Sequence, residues 1–210
     1  HFSLTRRTHV VTVKVLKGAK SPLNGASHGD KSSIKMEEIP FTPMWDLRVD
    51  PNSSAFSAVN AALGMTLPTV VGQVARVNAT CLGQPGYNKD QKGIIALCLG
   101  PDQWMLTGTA DAAELLEHVR AIHHISIVDI SGQRTKIEVY GPKSVEVLEH
   151  VWEQDLRKKN FGIDNCSQGI MFRTPVIMWH CCTDCYILFV RSSFAQHLWS
   201  VLTDATVEYL

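Results

Sequence analysis

The chain has no surplus of charge of either sign: 20 Lys and Arg stand against 20 Asp and Glu. A general nucleic-acid binder needs a basic excess to neutralise phosphates, so that class is excluded. Long apolar runs are missing too. None exceeds six residues, as in Ile94 to Leu99, against the ~20 that a helix needs to span a bilayer. Heptads do not persist, and 9 Pro and 14 Gly are ordinary numbers, which excludes coiled coil, collagen and a disordered chain. Nucleotide-binding glycine loops are absent, both G-x-x-x-x-G-K-[S/T] and G-x-G-x-x-G. So are the G-x-S-x-G nucleophile elbow and the H-E-x-x-H zinc helix. No apolar stretch near the first residue resembles a secretory signal. The triplets at Asn52, Asn78 and Asn165 therefore carry no weight as glycosylation sites, and a cytoplasmic location is expected. The sequence starts at His1 rather than Met, consistent with a processed or partly recorded chain.

What is present is an ordinary globular composition, 45% hydrophobic and 19% charged over 210 residues, enough for a full core. The zero net charge conceals an asymmetry. Residues 1–36 hold seven basic groups and one acidic, leaving 13 basic and 19 acidic for residues 37–210. We read 1–36 as a basic N-terminal arm, with Val11, Val13 and Val15 on one side of an edge strand and 21–33 mostly loop. Residues 37–210 read as a single compact α+β domain.

Blocks of similar grammar recur along that domain. Trp45 to Val49 reads as a strand, followed by Phe56, Val59 and Leu63 at helical spacing and Gly64 as a stop. The strands Gly93–Leu99 and Trp104–Thr107 form a hairpin around Pro101-Asp102. Asp111 and Glu114 then open a helix with Ala112, Leu115, Leu116, Val119 and Ile122 on its apolar face. Ile125–Ile130 turns at Ser131-Gly132-Gln133 into Thr135–Tyr140, and a helix opens with Pro142 at its first position. A hairpin over Val176–Val190 is followed by Ser192-Ser193 as cap and the stripe Phe194, His197, Leu198, Val201 and Leu202. Asp102-Gln-Trp-Met-Leu106 parallels Asp184-Cys-Tyr-Ile-Leu188, which predicts two pseudo-repeated halves. The fold class is α+β, with antiparallel sheets and helices packed on one side.

The cluster His180-Cys181-Cys182-Thr183-Asp184-Cys185 contains a C-x-x-C, with Cys182–Cys185 at a hairpin turn. A zinc ribbon requires a second ligand pair, and none is spaced for it, so they read as core thiols rather than metal ligands. His197 reads as a packed or boundary histidine, and His123-His124 as neighbours pointing apart. The five tryptophans include candidate interface anchors, though most read as core. From residues alone no catalytic, cofactor-binding or metal site is assigned.

The ordered string Leu47-Arg-Val-Asp-Pro51, Leu67-Pro68, Leu99-Gly-Pro-Asp-Gln-Trp-Met-Leu106 and Val128-Asp-Ile-Ser131 resembles the γ subunit of heterotetrameric sarcosine oxidase. Gly141-Pro142, Asp155-Leu156, Pro175–Trp179 and Arg191–Ala195 through Leu198-Trp199 continue the resemblance in order. It implies a fold similar to the folate-binding domain of the glycine-cleavage T-protein, and a non-catalytic structural subunit. It further implies α, β and δ partners that carry FAD, FMN, NAD, tetrahydrofolate and zinc, in a complex demethylating sarcosine to glycine with hydrogen peroxide and formaldehyde or methylene-tetrahydrofolate. No nucleic-acid or membrane partner is implied. The alternative is a stand-alone folate-binding or aminomethyltransferase-like protein using Asp155. Beside Arg157, Lys158 and Lys159, that carboxylate reads as salt-bridged.

Overall fold

The computed structural model describes residues 20–79 and 93–210. The Val11–Val15 strand and Cys81 lie outside the described residues. A hairpin of β1 (Ser27–Asp30) and β2 (Ile34–Ile39) comes first. Then follow β3 (Met44–Arg48), α1 (Ser54–Leu63), β4 (Val74–Val77), β5 (Ile94–Gly100), β6 (Gln103–Gly108) and α2 (Ala112–Ile122). The order next runs β7 (Ser126–Asp129), β8 (Arg134–Tyr140), α3 (Ser144–Val151) and β9 (Asn165–Met171). It ends with β10 (Thr174–Cys182), β11 (Cys185–Arg191) and α4 (Ala195–Ala205).

These strands make two antiparallel sheets, β1-β2-β8-β11-β10-β9 and β4-β5-β6-β3-β7. The series β3-α1-β4-β5-β6-α2 corresponds element by element to β8-α3-β9-β10-β11-α4, with the same strand neighbours in each sheet. The strand before each series crosses over. β2 pairs with β8 in the six-stranded sheet, and β7 pairs with β3 in the five-stranded one. The Ile125–Ile130 and Thr135–Tyr140 segments, adjacent in sequence, thus lie in different sheets.

Each sheet carries its helices on one face, as the apolar patterning requires, and the bare faces meet. Val147, Leu148 and Val151 of α3 and Leu198 and Leu202 of α4 pack on Met178, Leu188 and Ile137. Val59 and Leu63 of α1 and Leu116 and Val119 of α2 pack on Leu47, Ala96 and Leu106. Between the sheets lie Leu97, Met105, Ile177, Trp179, Ile187 and Phe189. Strands β10 and β11 are therefore buried on both faces, which explains their unbroken apolar runs.

Local signals set the helix ends. Asp111 Oδ1 accepts the Glu114 N–H at 3.1 Å, a cap that fixes the start of α2. Gly64 takes φ 67° and closes α1 by donating to Ala61 O, the left-handed stop that glycine adopts without strain. Helix α3 starts at Ser144, with Lys143 at its N-cap. Pro142 lies two residues ahead of that start, because the chain first turns at Gly141, φ 121°, where a Cβ would stand 2.5 Å from Ser33 O. A 3₁₀ turn, Ser192–Phe194, replaces the expected serine cap of α4.

The boundary assigned at residue 36 falls inside β2. Residues 21–26 are fastened to the sheet by the buried Glu38 carboxylate, which accepts from Ser21 Oγ (2.8 Å), Leu23 N (3.2 Å), Gly25 N (2.7 Å) and Thr135 Oγ1 (2.7 Å). The segment read as loop over 21–33 contains β1, whose partners in β2 are set by register from Ser27↔Glu37 to Asp30↔Ile34.

Candidate functional site

Asp155 lies in the loop after α3, and its own chain occupies it. Arg157 Nε is 2.8 Å from each carboxylate oxygen, and the Arg157 N–H donates to Oδ1 at 2.9 Å. Arg157 Nη2 also donates to Oδ2, as does Asn160 Nδ2 at 2.5 Å. The Arg157 side chain, then its backbone N–H, holds this carboxyl well below the usual carboxylate range. Such a group stays ionised near neutral pH and presents no ready base to a substrate.

A cleft of about 790 Å³ opens at one end of the five-stranded sheet. Arg48, the 50–53 turn, the start of α1, Asp102, His123 and His124 line it. Arg48 is turned onto Asp46 (3.3 Å) and Asp102 (3.4 Å). His123 caps α2 through its backbone N–H to Val119 O. Neither imidazole of the pair makes a side-chain hydrogen bond among the described residues.

The third gathering is the thiols. A bulge between His180 and Cys182 breaks the alternation that would send Cys181 and Cys182 to opposite faces. Both join Cys185 in the core between the sheets. Cys181 Sγ is 3.2 Å from Cys185 Sγ and 3.8 Å from Cys182 Sγ, and all three sulfurs lie within 4.8 Å of one another. The C-x-x-C spacing pairs Cys182 with Cys185; the bulge that brings Cys181 to the same side has no signature in the residue types. Elsewhere, burial pushes the Cys166 thiol up to about 12 and raises Cys98, leaving both as unreactive core.

His197 is an exposed residue of α4, its Nε2 3.3 Å from Phe172 O. The buried face of that helix is Ala195, Leu198 and Leu202, so the predicted stripe is rotated by about one position. Trp45, Trp104, Trp152 and Trp179 are core. The large apolar side chains left uncovered include Ile170 (49% exposed), Phe172 (53%) and Phe194 (41%), residues that the focus on tryptophan passed over.

Comparison with known proteins gives these features a context. The chain is 27% identical to "Sarcosine oxidase subunit gamma" of Corynebacterium sp. (strain U-96), over 89% of this chain and 86% of that one. It is 26% identical to the Arthrobacter sp. protein of the same description, over 91% and 87%. Its fold is similar to a chain of the heterotetrameric sarcosine oxidase from Corynebacterium sp. U-96 (TM-score 0.77, 24% identity, 91% of this chain and 96% of that). It is also similar in fold to the glycine cleavage system aminomethyltransferase T of Bartonella henselae, over 88% of this chain and 56% of that (TM-score 0.59, 14% identity). The model of the "Sarcosine oxidase, gamma subunit family" matches residues 48–208, most of the chain, which belongs to that family.

Proposed function

We propose that this chain is the non-catalytic γ subunit of a heterotetrameric sarcosine oxidase, acting in the cytoplasm. The complex would demethylate sarcosine oxidatively to glycine, giving hydrogen peroxide and formaldehyde or methylene-tetrahydrofolate. FAD, FMN, NAD and zinc then belong to the α, β and δ partners. The likeness to the aminomethyltransferase fold raises tetrahydrofolate as a ligand of this chain. Asp155, the residue that would serve it, is instead held by Arg157 and Asn160, so the folate too is assigned to a partner. The stand-alone aminomethyltransferase reading is not favoured. We also take the body, which the β1–β2 hairpin joins, as one domain of two related halves, with the basic N-terminal arm reaching an acidic surface of this body or of a partner.

One observation carries the reading. The chain matches γ subunits along nearly their whole length, while its best carboxylate is consumed by its own loop. The test is purification without a tag on the partners. Co-elution with flavin-bearing chains is expected, with the isolated chain colourless and unable to retain tetrahydrofolate. Folate binding and methylamine turnover by this chain alone would overturn it. Asp155→Asn in the complex should leave kcat within about twofold, since an exposed, intrachain ion pair contributes little.

A further inference from the structure

We propose that Cys181, Cys182 and Cys185 form a three-thiolate site for a soft monovalent d¹⁰ metal ion, copper(I). The proposal is independent of the oxidase assignment.

The geometry is the first argument. A first-row ion bound to thiolates at about 2.3 Å in a trigonal plane holds its sulfurs roughly 4 Å apart. The separations here are 3.2 and 3.8 Å, with none above 4.8 Å, so shifts under about 1 Å suffice to close the shell. The scaffold is stiff: Cys182 and Cys185 face each other across the β10–β11 hairpin, and the bulge delivers the third sulfur.

The donor set is the second argument. Three sulfurs select a soft ion and reject magnesium or calcium. Among the described residues no His, Asp or Glu joins the group. The His180 ring is engaged elsewhere, stacked on Tyr186 at 4.5 Å, with Nδ1 3.0 Å from Phe161 O. Three ligands suit trigonal copper(I), whereas structural zinc takes four.

The surroundings are the third. Met44, Ile187 and Phe189 share the cluster and keep the sulfurs dry. Cys185 also lines a surface pocket of about 250 Å³ with Lys31, Tyr140, Thr183 and Asp184, a route from solvent with a cation at its rim. On binding, three S–H bonds break, three sulfur–copper bonds form and three protons leave to water. Copper remains +1 and no electron moves. The resulting net charge of the site is −2, and both Lys31 and Asp184 line the pocket beside it.

The experiment is an anaerobic titration of the full chain with copper(I) against a chromogenic copper(I) chelator. One retained ion is expected, with a thiolate-to-copper band in the ultraviolet and three sulfur neighbours at about 2.3 Å by X-ray absorption. Cys181→Ser and Cys185→Ser should each weaken retention by about 100-fold or more, while Cys98→Ser leaves it unchanged. Loss of copper from the wild-type chain to the chelator would overturn the proposal. Undiminished retention in both serine variants, or retention of zinc but not copper(I), would do the same. If the serine variants fail to fold, the wild-type X-ray absorption decides: fewer than three sulfurs refutes the site.

Discussion

Glu38 is the residue whose replacement should report most sharply on how the N-terminal turn is held. It is 4% exposed, and each carboxylate oxygen accepts twice, Oε2 from Ser21 and Gly25 and Oε1 from Leu23 and Thr135. Hydrogen bonds to a charged group contribute about 1.5–3 kcal/mol each. In Glu38→Ala the two hydroxyls can rotate toward other acceptors and the Gly25 amide keeps Ser21 Oγ at 3.2 Å, but the Leu23 and Gly25 amides both lose the carboxylate. Two bonds at the lower figure make about 3 kcal/mol of local opening free energy, or roughly 100-fold faster exchange at those amides. Thr135→Val removes one bond and should accelerate them by about tenfold. Amide hydrogen exchange is the assay because it reads local opening in the isolated chain and in a complex alike. The Val74 amide, which donates to Asp164 O at 2.8 Å, serves as a remote control. Exchange of Leu23 and Gly25 within about threefold of wild type in Glu38→Ala would refute the staple. Uniform acceleration that includes Val74 would refute it too, by making Glu38 a determinant of the whole fold.

Gly169→Ala should destabilise the protein by about 1–3 kcal/mol in denaturant unfolding, since its Cβ would stand 2.7 Å from Trp152 Cη2; an unchanged midpoint would contradict that packing. Burial raises the Asp164 carboxyl above 3.8, and Arg76, 3.3 Å away, opposes the rise. Arg76→Ala should lift it further, as read by NMR titration of the carboxyl carbon. The folded state holds this proton more tightly than the unfolded state. Stability therefore falls as pH rises from 3.8 through the folded value, and falls further in the variant; a lowered Asp164 pKa would show the sign to be wrong. Phe172→Asp should weaken co-elution with the flavin-bearing chains by about tenfold or more while leaving the unfolding midpoint near wild type. Undiminished co-elution takes Phe172 off the assembly surface.

Much of the middle of the chain was legible because its signals are local. Asp111 with Glu114 announces α2, Pro101-Asp102 announces the β5–β6 turn, and Gly64 announces the end of α1. Strand β2 shows where local signals stop. Ile34 and Met36 alternate inward as a strand should, but the next inward position is Glu38. A charged residue there argues against burial until its four donors are known, and one of them, Thr135, is 97 residues away. The helix α3 was placed two residues early because Pro142 is equally suited to the tight passage beneath Ser33. The tryptophans gave a poor guide to surface because both faces of the central strands are covered, Trp104 of β6 under the helices and Trp179 of β10 between the sheets. At the thiols, spacing alone counts a C-x-x-C pair. The third sulfur depends on a bulge, a property of the hairpin's register rather than of any residue.

The exchanged strands have a consequence for how the chain comes apart. A cut between α2 and β7 would leave two fragments, the first lacking β7 of its sheet and the second lacking the β1–β2 hairpin, each owning what the other lacks. The first would keep β2 without β8, and the second β7 without β3. Neither fragment can close its own sheet, and each presents the one edge that fits the other's spare strand. The molecule is thus a ready-made split-protein pair: the same crossing that makes either half incomplete by itself also makes each half the specific template for reassembling the whole.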